Sequence, residues 1–300
     1  MTSAPIALFA YNRPKHLRKT LDALLANPLA AASELHIFCD AAKKPKHTLD
    51  VAAVRSIVRS ITGFRKIVIV ERESNFGLAK SIAAGVSSLC ATHGRVIVLE
   101  DDLLVTPGFL RFMNDALVRY QNYPDVYQIS GYMYPGNYAA VAETFFLPMT
   151  SCWGWATWKR AWSSFNFDLD GLDELKKDAN LTNKFNLQDS YDYIGMAEQQ
   201  KAGKISSWGV CWYFNVFMKG GLVLYPRSSF VQNIGVDSSG THGDGHSQLQ
   251  KDLVFLPSAT KNLFFPEKII ADEFAYREVV RVLALMKKRF LKRLSNWIFK

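Results

Sequence analysis

Four short apolar runs alternate with three helical stretches in the first hundred residues, and this alternation constrains the fold more than any other feature of the chain. Ile6 to Tyr11, Leu35 to Cys39, Ile67 to Val70 and Val96 to Leu99 are continuous rather than alternating in polarity. That pattern belongs to strands buried on both faces. Between them, Pro14 onward (with Asn12 as the expected cap), residues 48–61 and Leu78 to His93 carry apolar positions at helical spacing; Gly94 is placed to stop the last of these. Strands alternating with helices in this way predict a mainly parallel, Rossmann-like sheet flanked by helices.

The fourth run ends in three consecutive acids, Glu100, Asp101 and Asp102. Buried carboxylates are costly unless paired, hydrogen-bonded or holding a metal, so the acids belong where the strand leaves the core. In open α/β sheets ligands sit outside the carboxyl ends of the strands. Side chains alternate along an extended chain, which places Glu100 and Asp102 on one side and Asp101 on the other. Hard oxygen ligands there suit Mg or Mn completed by substrate phosphates. A solvated acidic turn is the plain alternative.

Beyond Asp102 the pattern loosens. Pro107 to Tyr123 reads as a helix, Gln128 to Gly131 and Thr144 to Leu147 as short strands, Ser207 to Met218 as an apolar-aromatic helix and Leu222 to Tyr225 as a last strand. Trp153 to Trp162 is densely aromatic, and residues 235–247 are rich in Gly, Ser and His and read as a mobile loop. The four cysteines are far apart without a CxxC pair, which fits reduced thiols rather than disulfides or a zinc site.

Charge is concentrated at the C-terminus. Residues 276–300 hold eight Lys and Arg against one Glu, +7 of the net +9, so the other 275 residues carry only +2. The basicity is therefore that of a tail, and no nucleic-acid partner is expected. From Val279, apolar residues recur at 283, 286, 290, 294 and 297, with Lys287, Lys288, Arg289, Lys292 and Arg293 largely off that stripe. This is the pattern of a basic amphipathic helix lying on a membrane surface; a helix packed on the core, or a dimer contact, is the alternative. The N-terminal apolar run is too short for a cleavable leader, and no stretch approaches a membrane span.

Asn12-Arg13-Pro14, Asp40, the NFGLAKS turn at 75–81 and Glu100-Asp101-Asp102 all fall at carboxyl ends of predicted strands. Together, in this order, they resemble the nucleotide-sugar-binding half of GT-A glycosyltransferases, in particular the N-acetylglucosaminyltransferase I type and its bacterial relatives in surface-polysaccharide synthesis. The resemblance runs from about residue 5 to about 245, and the segment 222–243 is its second anchor. It implies a metal (Mn or Mg) on Asp102, with His242 coming over the diphosphate. Glu100 and Asp101 would contact sugar and ribose, Arg13 and Asp40 the nucleobase and ribose region, and Lys80 the uracil or phosphates. Trp153, Trp155 and Trp158 are candidates for an acceptor platform or for core. His246, Asp237 and Asp244 are weaker candidates in the loop. Where that family carries acids, one of them the catalytic base, this chain has Ser207-Trp208-Gly209-Val210. The base is then expected among Asp189, Asp192 and Glu198, with Asp192 first.

The expected organisation is a nucleotide-sugar-binding half at 1–135, an acceptor-binding half with its closing loop at 136–275, and a membrane-associating tail at 276–300. The resemblance implies a cytoplasmic enzyme, peripheral to the inner face of the plasma membrane. It would pass a sugar from a nucleotide diphosphate, with UDP the expected carrier, to a hydroxyl of a lipid-linked surface glycan. A sugar-nucleotide pyrophosphorylase shares such a sheet but carries a Gly-rich, Arg- and Lys-containing loop after the first strand, which AYNRPKH is not. A non-catalytic, membrane-bound glycan-binding module that lost its base is the other alternative.

Overall fold

The computed structural model describes the backbone of residues 3–235 and 263–298, and side chains as far as 288. Along the chain run β1 (Ile6–Ala10), α1 (Pro14–Leu25), β2 (Glu34–Cys39), α2 (Thr48–Ser60), β3 (Lys66–Glu71), α3 (Leu78–His93), β4 (Arg95–Glu100), β5 (Leu103–Val105) and α4 (Phe109–Arg119). They are followed by β6 (Val126–Ser130), β7 (Thr144–Leu147), β8 (Trp155–Trp158), α5 (Lys159–Trp162), α6 (Leu172–Lys177), α7 (Ala179–Phe185), α8 (Tyr193–Lys201), α9 (Trp208–Met218), β9 (Leu222–Pro226), β10 (Val231–Asn233) and α10 (Glu273–Ile298).

Eight strands form one mixed sheet in the order β3-β2-β1-β4-β8-β6-β9-β7. The first four are parallel to one another, as the alternation of strand and helix requires. Their residues divide by parity. Ile6, Leu8, Ile37, Ile97 and Leu99 pack beneath α1, α2 and α4. Ala7, Phe9, Phe38, Val96 and Val98 pack on the other face beneath α3 and α9. The expectation of a mainly parallel α/β sheet with helices on both faces is met.

Helix α1 starts at Pro14, whose fixed φ suits the first turn, but the cap is Arg13, with no side-chain capping bond, rather than Asn12. Gly94 ends α3 in the left-handed conformation, φ 76°. Three strands were not legible. β8 runs antiparallel between β4 and β6 inside the aromatic segment, and β5 pairs with β10.

Helix α10 corrects the reading of the tail. Ala275, Val279 and Leu283 are buried in the second core, with Met286 packed against it, beside β7, β9 and α9. The first positions of the apolar stripe are therefore covered by the protein itself. Phe290, Leu294 and Trp297 lie beyond the described side chains. Among the described residues no helix is long and apolar enough to cross a membrane. The four cysteines are free, as expected.

Candidate active site at the carboxyl ends of β1 and β4

From β1 the chain progresses outward through β2 to β3, then returns to the other side of β1 at β4. This reversal opens a crevice between the carboxyl ends of β1 and β4, the place where an open α/β sheet binds ligands. Tyr11 and Arg13 leave β1 there, and Glu100, Asp101 and Asp102 leave β4.

The three acids have different surroundings. Asp101 is buried, its Oδ2 accepting from the Tyr11 amide at 2.9 Å, while the Thr20 hydroxyl donates to its carbonyl at 2.9 Å. Burial, reinforced by the neighbouring Asp102 charge, pushes its carboxyl from the ordinary 3.8 up to about 7. Asp102 accepts from Arg13 through Oδ2 at 2.6 Å, with the two side chains 13% and 16% exposed. Its Oδ1 is buried without a hydrogen-bond partner among the described residues. Burial outweighs the Arg13 cation, so this carboxyl also lies above its usual range. Glu100 is half-buried and forms no hydrogen bond among the described residues. Burial first, then the charges of Asp102 and Asp101, raise its carboxyl well above the usual range. Its charge also helps burial hold the Cys152 thiol at about 12. Three carboxyls are thus crowded beside the Arg13 cation, and burial with mutual repulsion favours their protonated forms.

Linkage fixes the sign of a pH effect. Between about pH 4 and 7 the folded protein keeps a proton on Asp101 that the unfolded chain releases, so stability from this group falls as pH rises through that window and is level above it. Asp101→Asn should therefore gain stability relative to wild type at pH 7.5 but not at pH 4.5, by a few kcal/mol, in urea unfolding at the two pH values. An equal effect at both would contradict the assignment.

Asp40 is 6% exposed and fully engaged. Its Oδ1 accepts from the Ala41 and Phe76 amides, and its Oδ2 from the Gly77 amide and the Asn75 side chain, all within 3.0 Å. It clamps the 75–77 turn, where Gly77 at φ 72° opens α3. Direct contact with a nucleobase is thus not open to this carboxylate. Lys80 is exposed in the first turn of α3.

The chain leaving β10 covers the ion pair. The Ile234 amide donates to the Asp102 carbonyl at 2.8 Å. A Cβ at Gly235 would stand 2.0 Å from Asp102 Oδ2 and 2.6 Å from an Arg13 Nη, so only glycine permits this approach. His242, His246, Asp237 and Asp244 lie outside the described residues.

The aromatic candidates separate. Trp155, in β8, is wholly buried and stacks on Trp208 at 5.1 Å, and Trp158 is 3% exposed with its indole N–H on the Leu117 carbonyl. Neither offers a face to a sugar; both are core. Trp153 is half-buried beside Tyr132, 4.6 Å away in an edge-to-face arrangement, and is the least buried of the three.

The expected bases are otherwise occupied. Asp192 caps α8 through the Gly195 amide, Glu198 pairs with Lys176 on the surface, and Asp189 holds Asn183. Each is held through one carboxylate oxygen, which fixes its side chain but leaves the second oxygen able to take a proton. Gly209 abuts Cys152: a Cβ there would meet its Sγ at 2.6 Å.

A cleft of about 450 Å³ opens at the opposite end of the sheet, lined by His93, Arg95, Gln121, Asn122, Trp158 and Arg160. Arg160 is spent on the carbonyls of Tyr120 and Gln121 and lies over the Trp158 ring. We place the candidate active site at the acidic crevice instead, because the buried Asp102 Oδ1 lies there without a hydrogen-bond partner among the described residues.

No protein-family model matches the chain, and neither does any curated protein. Among solved structures it is similar to the mannosyltransferase PcManGT from Pyrobaculum calidifontis, in complex with GDP-Man and Mn2+, with 12% identity over 73% of this chain and 70% of that one and a TM-score of 0.43. It is also similar to S. aureus TarS 1–349, with 11% identity over 81% of this chain and 68% of that one and a TM-score of 0.42.

Proposed function

We propose that the chain is a glycosyltransferase that moves a sugar from a nucleotide diphosphate, with UDP as the carrier, to a hydroxyl of a growing surface glycan. One observation carries the reading: Glu100, Asp101 and Asp102 gather at the switch point of the sheet, with Asp102 paired to Arg13 and its buried Oδ1 without a hydrogen-bond partner among the described residues. A divalent ion fits that oxygen, since hard carboxylate donors suit Mn or Mg. Asp102 would hold it, and bound there it would offset the charge that develops on a diphosphate leaving group.

The chain's own residues supply the rest. The Arg13 guanidinium sits where it can face the same leaving group while Asp102 holds its fork in place. Asp101 fixes the turn after β1 through the Tyr11 amide. Asp40 shapes the donor pocket indirectly, through the Asn75–Gly77 turn. Glu100 is the unbonded carboxylate available to sugar hydroxyls. Trp153 offers the acceptor an aromatic face.

The test is release of UDP from UDP-sugars by the purified protein with Mn. Slow hydrolysis without acceptor supports the reading; no release from UDP-, GDP- or CDP-sugars overturns it.

The membrane role of the tail narrows to residues 289–300. Removing them should leave the fold intact and release the protein from anionic liposomes. Removing 276–300 also strips Val279 and Leu283 from the core, each worth about 1.5–3 kcal/mol of burial, and should lower the melting temperature sharply. Unchanged liposome binding without 289–300 would sink the membrane role.

A further inference from the structure

At the amino end of β2, far from the acidic crevice, Glu34 and His36 lie two residues apart on one strand and so share the face that α3 crosses. The last residue of α3, His93, is brought over them. His36 Nε2 stands 3.4 Å, and His93 Nε2 4.0 Å, from the same oxygen, Glu34 Oε2. The ligand atoms of the three side chains all lie within 4.8 Å of one another. These separations are long for hydrogen bonds, whose usual length is about 2.9 Å. The shorter matches the edge of a tetrahedron about a metal held at 2.0–2.2 Å, roughly 3.4 Å, and the longer would have to close by about 0.6 Å on binding.

The second oxygen of Glu34 is already held: Arg65 donates to Oε1 at 2.8 Å, which aims Oε2 at the two imidazoles. A ligating carboxylate is commonly oriented by an outer partner in this way. His36 is largely buried, with its side chain 11% exposed, and His93 is 28% exposed, leaving one side open to water.

We propose that Glu34, His36 and His93 form a site for a first-row transition ion such as zinc, with water in the remaining position. Two imidazoles and one carboxylate suit zinc better than the hard ions expected at Asp102. The ion would pin the end of α3 to the amino end of β2.

Zinc chloride is titrated calorimetrically into tag-free, full-length protein, wild type and three variants. The proposal expects one equivalent bound by wild type and by Asp102→Asn. His93→Gln, a change at a partly exposed helix end that the fold tolerates, should bind more than about 100-fold more weakly, and Arg65→Ala about tenfold more weakly. No binding by wild type up to about 1 mM zinc overturns the proposal, as does affinity unchanged in His93→Gln or lost in Asp102→Asn. Circular dichroism of each variant confirms that the fold is retained.

Discussion

Asp102→Asn is expected to cut sugar transfer by about a thousandfold or more while moving the melting temperature by only a few degrees. The substitution keeps an oxygen for Arg13 to donate to at the 2.6 Å position but removes the charge that both Arg13 and a divalent ion would use. It also removes a charge that burial disfavours, so the fold loses little. Turnover of UDP-sugar and a thermal melt on the same sample decide the matter. Activity within tenfold of wild type would mean that the Asp102 carboxylate is not where the chemistry happens.

Trp155→Ala should do the reverse, acting through the fold rather than the site. The indole is wholly buried in β8, with the rings of Trp208, Trp162 and Trp212 centred 5.1, 5.7 and 6.3 Å away. Truncating a large core aromatic typically costs about 3–5 kcal/mol, through lost transfer energy and the cavity left behind. At about 2–4 °C per kcal/mol for a chain somewhat smaller than this one, the melting temperature should fall by about 10 °C. Trp153→Ala, at a half-buried position, should cost far less stability and act on the Michaelis constant for the acceptor. If Trp155→Ala instead left the melt unchanged and impaired only acceptor use, the aromatic platform would include Trp155 after all.

The contrast between these tryptophans shows where a sequence stops being informative. The first four strands were legible because a buried parallel strand writes itself as a continuous apolar run, and α1 to α3 because helical spacing is local. β8 was not, since WATW pairs with residues about sixty positions back and about twenty-five positions back in the chain, and nothing near it announces those partners. Its tryptophans fit a core and a binding face equally well by composition. The apolar stripe from Val279 has the same ambiguity: lipid and a protein's own core select the same residues, and only packing assigns Val279 and Leu283 to the core.

The candidate site was read in part. The acids and Arg13 were found because strand ends mark ligand crevices, but the tie of Arg13 to Asp102 across the switch point depends on sheet order. Asp40 was placed at the correct strand end, yet its three hydrogen bonds to the 75–77 region could not be foreseen from spacing. Glu34 and His36 went unread, since two polar residues at the start of a strand announce no ligand. His93 joins them only through the way α3 crosses the sheet.

Calorimetric titration of UDP, with GDP and CDP as controls, with and without Mn, on wild type and Asp102→Asn, tests the central claim most directly. The account predicts UDP binding that requires the metal in wild type and is lost in the variant. No nucleotide binding under any condition would contradict it and leave Glu100-Asp101-Asp102 as an acidic turn at the end of β4.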